Sequence, residues 1–409
     1  MSKKITIIGI NYYPEDTAIG LYTSQLSEFY VENGIQVDVI TGFPYYPAWR
    51  ISKHYKQKKT FYKEKINGVN VFRYKQYVPK KPSFIKRIIH LLDFSFGTFI
   101  NVFKIKETDV VLCIVPFIGS VFLGKILSKL TGAKLWVHIQ DFEFDAVTDS
   151  DILQTNNNQN IFFKVLFWVE KKLLKSADLS STISSLMLEK LSNKLNSNKS
   201  KKLLPNWVDS NFIKPQDYKV HKYLKSTKYK ILYSGNIGEK QDWIFFIEFV
   251  KELEKINDVE IIVVGNGSKR IWLEEQLLDQ DNVYFYSPVE YSELSNLLCS
   301  ADLHILFQKS EVIDTVMPSK ILAMMSSEKP SLITGNLKSE VASILQKSKG
   351  GKYFENKNKA EILNFVVNLK SDKYLQESYG QNARKFVSEY YSKTKILNKF
   401  KETFINLIN

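Results

Sequence analysis

Apolar runs of five or six residues recur through the first half of the chain, at 5–10, 37–41, 69–73, 110–115 and 134–139. Each is too short for a buried helix and rich in Val and Ile, the pattern of a strand covered on both faces. Helical periodicity lies between several of them: 22–33 places Leu26, Phe29 and Tyr30 on one face, and 118–130 does the same with Leu123, Ile126, Leu127 and Leu130. Such alternation predicts a parallel sheet wrapped by helices. A helical stretch with Asn-rich surface loops at 156–160 and 192–202 follows, and 179–183 reads as a sixth strand. The alternation then restarts, with strands at 230–233, 261–264, 283–286, 303–307 and 331–334 and helices at 243–255, 269–278, 291–300, 320–326 and 341–347. The segment 360–408 is helical by period. The expectation is an α/β protein of two doubly wound, Rossmann-like domains, 1–214 and 215–385, with 386–409 a C-terminal helix packing back on the first.

The length of 409 residues fits this division, because a single core stops growing well below that size. Cys113 and Cys299 sit in separate apolar stretches, which fits reduced core thiols, and no Cys/His spacing suggests a metal. The run 5–10 is too short for a signal peptide, and no segment reads as a clean bilayer span. A cytoplasmic protein is expected.

Charge sharpens the picture. Between Arg50 and Lys106 there are 15 Lys/Arg against Glu64 and Asp93, a net of +13 within a chain total of +14. A general preference for lysine would spread evenly, so this block, interleaved with aromatics, implies an anionic partner: lipid head groups, a diphosphate or nucleic acid. Within it, 84–103 is apolar on more than one face and flanked by Lys80, Lys81, Lys86 and Arg87. It reads equally as a crossover helix or as a helix lying in a membrane surface.

In doubly wound sheets, ligands sit beyond the carboxyl ends of the strands, so the loops there carry the candidate chemistry. In the second half, the turn from Tyr233 to Gln241 offers Gly235, Asn236 and the cation Lys240 ahead of a helix whose free N–H groups attract anions. Gly265-Asn-Gly267 permits close approach to a base or ribose. Asp314-Thr-Val-Met-Pro318-Ser319-Lys320 reads as a helix start with a hydroxyl and an ammonium facing an anion. In the first half, Tyr12-Tyr-Pro-Glu-Asp-Thr-Ala-Ile-Gly20 follows the first strand and lacks the Gly-x-Gly-x-x-Gly of dinucleotide oxidoreductases. His138-Ile-Gln-Asp141-Phe-Glu143-Phe-Asp145 gathers a histidine and three carboxylates at a strand end, candidates for proton transfer or for holding an acceptor hydroxyl. A solvated acidic loop and a helix cap are the plain alternatives at these places.

Several of these segments, with Gly9-Ile-Asn-Tyr-Tyr-Pro14, Pro44-Tyr-Tyr-Pro47, Tyr77-Val-Pro-Lys80 and Pro205-Asn-Trp207, give the chain a resemblance to a known family. It resembles the retaining family-4 glycosyltransferases of GT-B fold, and among them the colanic-acid-type fucosyltransferase subgroup of bacterial exopolysaccharide and capsule synthesis. The resemblance implies a UDP- or GDP-linked sugar donor held mainly by the second domain, an acceptor on the first, catalysis in the cleft, and neither metal nor other cofactor. By the same resemblance, Lys240 and the helix start Pro318, Ser319 and Lys320 neutralise the departing diphosphate. Gly20 approaches it from the first domain, and the loop to Val289 flanks the base. Two departures stand out: Asn236 replaces an Arg common in relatives, and the usual Glu-x7-Glu pair reads Asp314 and Leu322.

The expected partners are a nucleotide-sugar donor, a lipid-diphosphate-linked saccharide acceptor and the anionic inner face of the cell membrane, where the enzyme would bind peripherally. His138, Asp141 and Lys240 are the expected catalytic residues. A nucleotide-sugar epimerase shares the diphosphate logic without needing the basic aromatic block. A nucleic-acid-binding protein would need a charge stripe over both halves, and the second half is nearly neutral.

Overall fold

Val110–Val115 is buried at all six positions and so is Val259–Val264, as strands covered on both faces must be. In the computed structural model, residues 3–16, 18–81, 83–116, 118–142, 157–195, 199–311, 320–355 and 358–409 are described. The chain divides into two units, Met1–Pro205 with Leu397–Asn409, and Asn206–Ile396.

The first unit holds β1 (Lys4–Ile8), β2 (Gln36–Gly42), β3 (Phe61–Ile66), β4 (Val69–Tyr74), β5 (Val110–Val115), β6 (Lys134–Ile139), β7 (Leu179–Thr182) and β8 (Ser200–Leu203). They form one sheet in the order β3-β4-β2-β1-β5-β6-β7-β8, parallel throughout except for the β3/β4 pair. Helices α1 (Ala18–Glu32), α2 (Lys53–Lys56), α3 (Phe84–Val102), α4 (Gly119–Thr131), α5 (Asn157–Leu174) and α6 (Ser185–Leu195) accompany it. Two strands of this unit have no counterpart in the apolar pattern. β3 is an edge strand alternating Lys63 and Lys65 with half-buried neighbours, and it joins β4 through Asn67-Gly68, both at positive φ (48° and 83°). That is the dipeptide and geometry of a two-residue type I′ hairpin. β8 lies in the Asn/Lys/Ser stretch expected to be loop; as the opposite edge it buries too little to need an apolar run.

The second unit carries β9 (Tyr229–Ser234), β10 (Val259–Val264), β11 (Val283–Tyr286), β12 (Leu303–Phe307), β13 (Ser331–Thr334) and β14 (Gly351–Phe354). The order is β11-β10-β9-β12-β13-β14, every pair parallel. Its helices are α7 (Trp243–Leu253), α8 (Arg270–Gln276), α9 (Leu294–Cys299), α10 (Lys320–Ser326), α11 (Glu340–Ser348), α12 (Lys359–Ser371) and α13 (Lys373–Tyr390). Side chains cap several of them: Asp242 accepts from Phe245 N–H at 3.0 Å, Ser339 from Ala342 N–H at 3.1 Å, and Asp372 from Leu375 N–H at 2.9 Å.

The last helix, α14 (Lys393–Ile408), supplies Leu397 onward to the first unit's core. There Phe400 stacks on Trp136 with centroids 5.6 Å apart, Phe404 packs against Tyr30, and the Tyr30 hydroxyl donates to the Phe400 carbonyl.

Both sheets are doubly wound, as expected. Strand order reverses between β1 and β5 in the first and between β9 and β12 in the second. These switch points leave a crevice beyond the strand carboxyl ends, where two neighbouring loops diverge.

Candidate active site

At the switch point of the second unit, β9 runs into Gly235 (φ 144°) and Asn236, and Lys320 opens α10 beside them. The Lys320 ammonium lies 4.6 Å above the Tyr233 ring and donates to its hydroxyl at 3.2 Å, while that hydroxyl donates onward to the Asn236 carbonyl at 2.6 Å. Burial pushes the Tyr233 phenol far above its ordinary range, so the ring stays a neutral platform under a cation. A Cβ on Gly235 would sit 3.4 Å from Lys320 Nζ, which places the ammonium directly over the glycine turn.

The glycines at 265 and 267 pack closely against the preceding turn. A Cβ on Gly265 would fall 1.9 Å from the Gly235 carbonyl oxygen, and one on Gly267 would fall 2.3 Å from that of Ile237. The two turns are laced backbone to backbone, Gly235 N–H to Val264 O and Ile237 N–H to Asn266 O, both at 2.9 Å. The missing side chains admit the neighbouring turn, which fixes the shape of the crevice. Lys240 is exposed farther along the same turn, and Val289 is half-buried on the loop after β11. Asp314, Pro318 and Ser319 lie outside the described residues, as do Glu143 and Asp145.

The first unit has its own hollow at the corresponding place, a cavity of about 290 Å³. Gly20, Arg87 and Asp141 line it together, with Tyr45, Trp49 and His90. His138 does not line it. That ring is 1% exposed, Nδ1 lies 2.9 Å from Ser181 Oγ, Nε2 lies 3.1 Å from Gln140 Nε2, and its edge meets Phe400. Burial lowers its pKa to about 3, so it is neutral at ordinary pH and enclosed by the core. The strand-end position that made it a candidate instead turns it inward; Asp141, two residues beyond the strand, lines the cavity.

Glu15 and Arg73 shape the cavity's surroundings. Glu15 Oε1 accepts from the Tyr45 and Tyr46 amides at 2.8 Å each, and Oε2 accepts from Asn11 Nδ2 at 2.8 Å. The carboxylate therefore ties the loop after β1 to the loop after β2. Burial raises its pKa, with those hydrogen bonds opposing. A Cβ on Gly20 would lie 2.8 Å from both Cβ and the carbonyl oxygen of Glu15, so Gly20 lets α1 start against that strut. Arg73, one of the cations in the basic block, is wholly buried: it pairs with Glu64 and donates to the Gly42 and Tyr13 carbonyls. Its charge is used within the fold and is withheld from any partner.

Helix α3 is a crossover helix with two unlike faces. It connects β4 to β5 and buries His90, Phe94, Thr98 and Val102. Its other face leaves Ile85, Ile89, Leu92, Phe96 and Ile100 exposed, with Phe103 just beyond, Phe96 reaching 73%. Lys80, Lys81, Lys86 and Arg87 are exposed at its N-terminal end. No helix among the described residues is long and apolar enough to cross a membrane. Nor does any cluster of three or more His, Cys, Asp or Glu among them form a metal-holding group.

Residues 216–386 match the family "Glycosyl transferases group 1". The chain is 32% identical over 355 residues to WcaI of Escherichia coli K12, described as a colanic acid biosynthesis glycosyl transferase, covering 84% of this chain and 86% of that protein. The chain is a group 1 glycosyltransferase. Solved structures agree on the GT-B fold: sucrose-phosphate synthase from Thermosynechococcus elongatus superposes with a TM-score of 0.76 at 14% identity, covering 99% of both chains. Anabaena HepE in complex with UDP-glucose gives 0.66 at 13% identity, covering 98% of this chain and 99% of that one.

For a group 1 glycosyltransferase, the second unit's crevice has the chemistry of an anion cradle, with a glycine turn and an ammonium held at one height by an aromatic ring. Sequence reasoning did not single out His90, Trp49, Glu15 or Arg73. The signal available for Glu15 was the doubled Tyr-Tyr-Pro, at 12–14 and 45–47, which marks the two loops that its carboxylate joins.

Proposed function

We propose that this glycosyltransferase moves a sugar, fucose or N-acetylfucosamine, from a UDP- or GDP-linked donor to a lipid-diphosphate-linked saccharide in capsule, O-antigen or exopolysaccharide synthesis. The observation that carries the reading is the Gly235 turn with Lys320 poised over it at a sheet switch point. A diphosphate entering there meets an ammonium held over a glycine that presents no side chain. Lys320, helped by Lys240, balances the charge that grows on the leaving diphosphate. Transfer with retention and without metal follows the family resemblance, the leaving phosphate helping to take the acceptor proton.

The exposed apolar stripe of α3 beside Lys80, Lys81 and Lys86 supports a peripheral position on the anionic inner face of the cell membrane, where a lipid-linked acceptor resides. The test is a panel of UDP- and GDP-sugars, first for thermal stabilisation and then for transfer to a lipid-diphosphate saccharide with and without EDTA. Product with the donor's anomeric configuration and EDTA-insensitive turnover are expected. Donor hydrolysis or epimerisation that ignores acceptor, or inversion at the anomeric carbon, overturns the reading.

A further inference from the structure

One residue lining the first unit's cavity carries a buried polar atom with no partner among the described residues. His90, on the buried face of α3, is 1% exposed and is one of the residues that line the cavity. Its Nδ1 contacts the Tyr77 carbonyl, which can only accept, so Nδ1 carries the hydrogen. In the neutral ring this leaves Nε2 as a bare acceptor, and Nε2 is buried with no hydrogen-bond partner. Neutrality is favoured by burial, which lowers the ring's pKa against the pull of the Tyr77 carbonyl and Asp93. Asp93 itself is engaged by the Tyr77 amide at 2.6 Å and the Tyr74 hydroxyl at 3.2 Å.

The surroundings indicate what would meet that acceptor. Tyr45 meets the His90 ring edge to face with centroids 4.5 Å apart, and Trp49 does so at 5.7 Å. Trp49 is held from its other neighbour by the Arg87 guanidinium, 5.3 Å from its ring centroid. Arg87 and Asp141 also line the cavity. Aromatic faces, one cation, one carboxylate and a buried lone pair form a site for a molecule with apolar C–H faces and several hydroxyls. A buried acceptor left unpaired is costly, and a ligand O–H removes that cost.

We propose that His90 binds the acceptor saccharide, its Nε2 accepting a hydrogen bond from a pyranose hydroxyl while Tyr45 and Trp49 flank the sugar ring. The assignment rests on the glycosyl-transfer reading above and adds the residue that orients the acceptor. It places acceptor specificity on α3 and the loop after β2.

The test uses the full chain labelled with 15N-histidine and octyl glycosides of glucose, galactose, N-acetylglucosamine and fucose, in both anomeric forms, as probes. The free protein should show His90 as the Nδ1–H form, and at least one glycoside should shift its Nε2 resonance. His90→Phe should raise that glycoside's Kd about ten-fold, the loss of roughly one hydrogen bond, while His90→Gln recovers part of the affinity through its amide oxygen. UDP or GDP stabilisation should be the same in all three proteins. If His90→Phe does not fold, the Nε2 shift and the Gln variant still decide the matter. An Nε2 resonance unmoved by every glycoside, or a Phe variant that binds as tightly as the parent, overturns the assignment. Glycoside binding through His90 in a protein that transfers no sugar would instead sink the transferase reading and leave the site standing.

Discussion

Lys320 illustrates how one side chain acquires a role from its neighbours. A free lysine spreads its charge over many rotamers, but here the Tyr233 ring and hydroxyl hold the ammonium above Gly235. Lys320→Ala is therefore expected to lower kcat/KM by about 10²-fold, in the range for removing one preorganised charge from a developing anion. Lys240→Ala, at an exposed position on the same turn, should lower it less, and steady-state kinetics with saturating acceptor ranks the two. His138 is a case of the opposite kind. Its folded pKa, about 3, is depressed below the ordinary 6.5, so the folded state binds the proton less well than the unfolded state. The stabilisation from keeping this ring neutral is complete above about pH 6.5 and falls as pH drops toward 3, by up to roughly 1.4 kcal/mol per pH unit. His138→Gln should flatten that acid limb, read by urea unfolding between pH 7 and pH 5. An unchanged slope would show that the ring does not carry the effect.

At the level of elements, α3 joins a buried face to an exposed apolar one. Replacing Ile89, Phe96 and Ile100 by Ser should abolish sedimentation with phosphatidylglycerol vesicles while costing no more than about 2 kcal/mol of stability, because about half or more of each side chain is exposed. Neutralising Lys80, Lys81 and Lys86 should weaken the same binding by about 1 kcal/mol per charge, with a steep salt dependence. Vesicle binding that survives both sets of changes would remove the membrane assignment.

The elements that were plain in the sequence are those whose burial forces an apolar run, such as 110–115 and 261–264. β3, β8 and β14 escaped that pattern because edge strands tolerate lysines, and only Asn67-Gly68 announced the first of them. The candidate site was legible as positions but less so as reasons. Gly235, Asn236 and Lys320 lie side by side at the switch point, Gly265 and Gly267 admit another turn, and which way His138 faces depends on packing that no local pattern encodes.

Over the whole molecule, the charge census changes once burial is known. Arg73 is spent inside the first unit, whereas Lys53, Lys56, Lys59, Lys63 and Lys65, like the cations near α3, are exposed and within a partner's reach. A matching nucleotide at a hundred times its Kd should stabilise the native state by about 2.7 kcal/mol, and the base that does so identifies the donor. Phe400→Ala should cost about 3–5 kcal/mol in the first unit, since it removes a ring stacked on Trp136 and set against His138.

The same ring has a temporal side. Residues 397–409 belong to a body that otherwise ends at Pro205, so the ribosome must polymerise 206–396 before it makes the aromatic plug that seals the earlier sheet. Until then Trp136 and Tyr30 lack their covering rings. A nascent chain stalled at Ile396 should therefore recruit chaperones through that bare patch, even with all of its earlier strands translated.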